Sequence, residues 1–148
     1  MEKNFLNLNT PWVESELFNN HLKFKEKKYA NHAKKFNKDG YIIIDLKISK
    51  KELKKTTEDI LKLAKDEDVK KNPKIYHYNK NPRIVEGYKK FKSIRNLCKN
   101  NEIMNILKYF YEKKPVPINS INFIKGTDQP LHSDYIHFSS MPHKYLCA

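Results

Sequence analysis

The sequence predicts an α+β fold, and three observations carry that prediction. Apolar residues recur at helical spacing in three stretches of the first 115 residues. A continuous β-branched run, Tyr41 to Leu46, interrupts them. After Pro115 and Pro117 the pattern turns strand-like and stays so to Ala148. With 148 residues the chain suits a single domain with one sizeable core.

The elements follow in order. Phe5 to Phe24 scatters aromatic and aliphatic residues among Asn and Glu and reads as an arm laid across the domain. Lys25 to Asn37 reads as a short helix, because Tyr29, His32, Ala33 and Phe36 share one face. Asp39-Gly40 stops it, with Gly40 suited to a left-handed cap. The run Tyr41-Ile42-Ile43-Ile44-Asp45-Leu46 has the continuous apolar character of a strand buried on both faces. Ser49 and Glu52 have capping-box spacing and open a second helix, whose expected buried stripe is Leu53, Ile60, Leu61 and Ala64. Glu67 to Pro82 is polar, holds two prolines and is expected to be loop. A short strand within Pro82 to Tyr88 precedes a helical stretch from Phe91 to Leu97. A further helix, Glu102 to Tyr111, turns Ile103, Ile106, Leu107 and Phe110 inward. Ile118 to Ile124 is strand-like, Gly126 to Pro130 is a turn, and Leu131 to Phe138 is extended again. Tyr145 to Ala148 begins another strand-like run, which leads us to expect the front part of a longer protein.

Composition narrows the function classes. No apolar run reaches the roughly 20 residues of a membrane helix, and the polar N-terminus does not resemble a signal peptide. Two cysteines, Cys98 and Cys147, make no disulfide framework, so a cytoplasmic protein is expected. The formal charge of +13 invites a polyanion partner, yet all but two of the 30 basic residues are lysine. Lysine is a hydrated point charge, whereas base readout and phosphate clamping favour the planar fork of arginine. The lysines are also spread along the whole chain among many Asn and Ile, so we expect a solvated basic surface and no specific nucleic-acid partner. A lysine-rich module that binds nucleic acid or an anionic surface without catalysis is the alternative.

The residues that could carry chemistry are His132 and Asp134. Side chains alternate along a strand, so these two project together while Ser133 points away. A convergent His and carboxylate supply two of the three ligands of the facial triad that holds non-haem Fe(II) and leaves coordination positions open. The same spacing also fits a strand in which His132 and Asp134 hydrogen-bond each other. A zinc site that adds His137 and His143 is a third reading, although alternation sets His137 on the other face.

The wider segment, Ile121-Asn122-Phe123 through Gly126-Thr127-Asp128-Gln129, His132-Ser133-Asp134, Ile136-His137-Phe138 and Ser140-Met141-Pro142, resembles the phytanoyl-CoA dioxygenase family. Phe36-Asn37-Lys38-Asp39-Gly40-Tyr41, the strand-like run after it, and Ser49 with Glu52 and Leu53 are similar to that family's opening elements. The resemblance runs from about residue 33 to Ala148 and is strongest over residues 121–148. It implies an Fe(II)- and 2-oxoglutarate-dependent oxygenase, using O2, on a double-stranded β-helix of the jelly-roll kind. It implies that residues 1–115 are a helical flank with one or two strands and that residues 116–148 are the first core strands of an incomplete barrel.

On this resemblance His132 and Asp134 are the metal ligands, and Asp134 marks a hydroxylase, since halogenating relatives carry a small residue there. Asn122 and Gln129 reach toward cosubstrate or substrate, or else only satisfy the backbone of the turn. His137 stands behind the ligands if a bulge re-aims it, and otherwise lies at the surface. The family's distal His and its 2-oxoglutarate-binding Arg have no counterpart in these residues, and neither Arg83 nor Arg95 takes the latter role. The implied partner is a small organic or lipid-like substrate, and the 148-residue chain alone is expected to show no turnover.

Overall fold

The computed structural model describes residues 10–77 and 83–126. They form an α+β fold that divides into two compact units. The described part of the first comprises residues 10–45 and 104–115; that of the second, residues 46–77, 83–103 and 116–126.

The first unit is helical. A 3-10 turn at Trp12–Glu14 leads to helix α1, Phe18–Leu22; a second 3-10 turn, Lys27–Tyr29, opens helix α2, Ala30–Asp39. Gly40 ends α2 with φ +77°, and its N–H donates to the Phe36 carbonyl at 2.8 Å. That is the left-handed cap the sequence called for. Helix α7, Asn101–Tyr111, contributes Ile106 and Phe110 to a core with Trp12, Val13, Phe18, Tyr29 and Ala33. Trp12 centres this cluster, stacked on Phe18 at 5.6 Å and edge-on to Tyr109 at 5.4 Å. Its indole Nε1 donates to the Tyr109 carbonyl at 2.9 Å, so the polar end of the ring is satisfied inside the core. The arm expected from Phe5 to Phe24 thus supplies central core residues.

The segment Tyr41–Leu46 departs from expectation. It takes part in no strand pairing among the described residues, and its exposure alternates. Ile42 and Ile44 lie half-buried against the first core, while Tyr41 and Ile43 are 59% and 81% exposed. A β-branched run is buried twice over only where a layer covers each face, and the first core covers one.

The second unit packs helices on a small sheet. Helix α3, Lys50–Lys65, opens with the expected capping box: the Glu52 N–H donates to Ser49 Oγ at 3.2 Å, and the Ser49 N–H to Glu52 Oε2 at 3.1 Å. Its inner line is not the expected stripe, because Leu53 and Leu61 are exposed and Ile60 and Ala64 only half-buried. Thr56, Asp59 and Leu63 are buried instead. The rotation is set by Asp59, whose carboxylate has partners inside: Ser93 Oγ donates to it at 2.6 Å and Lys55 Nζ at 2.9 Å.

The region expected to be loop after Glu67 contains two elements. Asp66 accepts from the N–H groups of Asp68 and Val69 and so caps helix α4, Glu67–Lys70, which buries Val69. Strand β1, Tyr76–His77, follows. Strand β2, Arg83–Val85, helices α5, Gly87–Lys90, and α6, Lys92–Cys98, and strand β3, Ile121–Phe123, complete the unit. The strands pair antiparallel in the order β1-β2-β3. Among the described residues no helix is long and apolar enough to cross a membrane.

Candidate functional site

Register fixes which residues share a face of the sheet. Ile84 sits opposite Tyr76 on one side and Asn122 on the other; Arg83 pairs with Phe123, and Val85 with Ile121. Residues directly opposite in an antiparallel pair project to the same face, and neighbours along a strand alternate. Ile84 is completely buried in the second core with Leu63, Val69 and Ile94, so Asn122 faces that core. Arg83, Val85, Ile121 and Phe123 line the other face.

Four hydrogen bonds and a close approach hold β3 in place. Glu86 adopts a left-handed φ of +59°, and its N–H donates to the Ser120 carbonyl at 2.8 Å and to Asn119 Oδ1 at 3.2 Å. The Tyr88 N–H donates to Ser120 Oγ at 3.1 Å, and its hydroxyl to the Ile118 carbonyl at 3.1 Å. Beside these contacts a Cβ on Gly87 would lie 2.7 Å from Asn122 Oδ1 and 3.2 Å from Ile94 Cδ1. Glycine is required there for closeness rather than for backbone freedom.

Of the residues singled out from the sequence, Asn122 is the one that lies among the described residues. Its Oδ1 is buried with no hydrogen-bond partner, pressed toward Gly87 between apolar side chains. Gln129, His132, Asp134 and His137 lie outside the described residues. Among the described residues no group of three or more His, Cys, Asp and Glu is placed to hold a metal ion.

Two features of the second unit were not anticipated. Asp59 is a buried carboxylate on α3, and the Ser93 hydroxyl, then Lys55, hold its carboxyl below the usual range. The Ser93 hydroxyl lies on α6, so its bond to Asp59 ties α3 to α6. Arg83 stands on the central strand with its Nε buried and without an acceptor. Arg95, by contrast, donates from Nε to the Tyr88 carbonyl at 3.1 Å and from Nη2 to the Lys89 carbonyl at 3.0 Å, closing the end of α5. The one signal for Arg83 in the sequence was its identity, an arginine where the chain otherwise uses lysine. No protein-family model, curated protein or solved structure matches the chain.

Proposed function

We propose that the chain is an N-terminal part of a non-haem Fe(II)- and 2-oxoglutarate-dependent hydroxylase, with His132 and Asp134 gripping the metal from one face of a jelly-roll strand. The observation that carries this reading is the spacing His132-Ser133-Asp134, set after the strand and Gly-Thr turn of the segment 121–142. A strand at Ile121–Phe123, immediately ahead of Gly126, is consistent with the approach to the motif that the resemblance calls for. Bound iron and 2-oxoglutarate would supply oxygen activation, with 2-oxoglutarate going to succinate and CO2 as one oxygen atom enters the substrate. His132 and Asp134 contribute two of the three protein ligands; a second His and a carboxylate-binding Arg complete the site from residues beyond these. The substrate is a small organic or lipid-like molecule. The surplus of lysine supports a second reading, in which the chain binds polyanions and carries no metal.

Equilibrium dialysis against Co(II), an air-stable stand-in for Fe(II), separates the two. Because the chain supplies two of the three protein ligands, the oxygenase reading expects weak, saturable Co(II) binding at one ion per chain, and a clear loss of that binding in His132→Ala and in Asp134→Ala. No saturable binding by the unaltered chain at high Co(II), or binding that both variants keep unchanged, would overturn it.

A further inference from the structure

We propose that Arg83 is the anchor of a binding site for a small carboxylate with an apolar body, on the face of the β1-β2-β3 sheet that turns away from the second core. Arg83 occupies the middle strand; the register sets His77 of β1 and Phe123 of β3 opposite it, and Val85 and Ile121 share the same face. Ile121 is 44% exposed on that face and Arg83, Val85 and Phe123 are half-buried, whereas Ile84 on the opposite face is wholly enclosed.

The argument rests on an unbalanced donor. Arg83 Nε is buried with no acceptor, and no carboxylate among the described residues pairs with the side chain. A buried donor without a partner costs stability, and an arginine that served only the fold would gain by pairing, as Arg95 does with two carbonyls. The guanidinium offers parallel N–H groups that match a carboxylate edge to edge. The apolar side chains beside it would cover the hydrocarbon part of the same ligand. A bare phosphate would satisfy the charge but leave Val85, Ile121 and Phe123 uncovered, which is why a carboxylate with a short hydrocarbon chain fits better. The site uses neither His132 nor Asp134 and stands independently of the metal reading.

The test uses the full metal-free chain, with EDTA present, and three probes: hexanoate, hexan-1-ol and inorganic phosphate. Amide shifts at Val85, Ile121 and Phe123 report binding, and thermal unfolding of the free proteins reports the cost of the unpaired donor. Hexanoate is expected to bind at those amides and at least tenfold more tightly than either hexan-1-ol or phosphate. Arg83→Met should weaken hexanoate about tenfold or more. It should also leave the free protein as stable as before or more stable, since it removes an unsatisfied buried donor. Lys108→Met, which removes one exposed charge elsewhere, should change neither. The proposal fails if hexanoate does not bind or binds no better than hexan-1-ol or phosphate. It fails equally if Arg83→Met binds hexanoate as the unaltered chain does, or destabilises the free protein as the loss of a structural arginine would.

Discussion

Replacing Gly87 by alanine tests how Asn122 is placed. Gly40 is the glycine with positive φ, so alanine at position 87 meets no backbone penalty and any cost is steric. The new Cβ would stand 2.7 Å from Asn122 Oδ1, 3.2 Å from Ile94 Cδ1 and 3.6 Å from Leu63 Cδ1. Overpacking of this kind costs about 1–3 kcal/mol, and alanine's helix propensity returns about 0.5–1 kcal/mol. A net loss of about 1–2 kcal/mol corresponds to a urea midpoint lowered by roughly 0.5–1.5 M. Asn122→Ala removes the closest of the three atoms together with an acceptor that has no partner, so it should cost little alone and recover about 1 kcal/mol in the double variant. Urea unfolding of the four proteins, followed by far-ultraviolet circular dichroism, completes the cycle. Equal stability of Gly87→Ala and the unaltered chain would refute the packing. So would an identical loss with and without the Asn122 side chain, which would place that amide elsewhere.

The other expectations concern single interactions. Ser49→Ala breaks the capping box of α3 and should cost about 1 kcal/mol in the same unfolding experiment, while Ser49→Thr or Ser49→Asp recovers most of it. Trp12→Phe keeps most of the ring packing but leaves the Tyr109 carbonyl without its 2.9 Å donor, so a loss of about 1–3 kcal/mol is expected from thermal unfolding. Asp59 has its folded-state pKa lowered, chiefly by the Ser93 hydroxyl, so its contribution is complete above the ordinary carboxylate value near 3.8 and fades as pH falls through the lower folded value. Ser93→Ala should raise the Asp59 titration midpoint, read by carbon NMR of the carboxyl, and so make the acid-induced loss smaller and complete at a higher pH.

Local signals were legible in the sequence and distant ones were not. The Ser49–Glu52 box, the Gly40 cap and the Ile106–Phe110 face of α7 each declare themselves within a few residues, and the structure holds all three. Asp59 could not be read as an inner residue, because its partner Ser93 is 34 positions away and a carboxylate in a helix ordinarily faces water. The two-residue strand β1 is too short to show a period, and its pairing with β2 defines it. Tyr41 to Leu46 looked like a doubly covered strand because hydrophobicity records what a segment tolerates, not how many layers reach it. The direction of Asn122 followed from its register opposite Ile84, which no stretch of β3 encodes by itself.

Paramagnetic broadening by Mn(II) tests the metal assignment most directly, because the chain has six histidines and the account selects one. With substoichiometric Mn(II) and 2-oxoglutarate, the imidazole signals of His132 should disappear first, while those of His21 and His32 stay sharp. If all the histidines broaden together, or if His132 keeps its signals while others lose theirs, His132 and Asp134 do not form the metal site and the oxygenase reading falls.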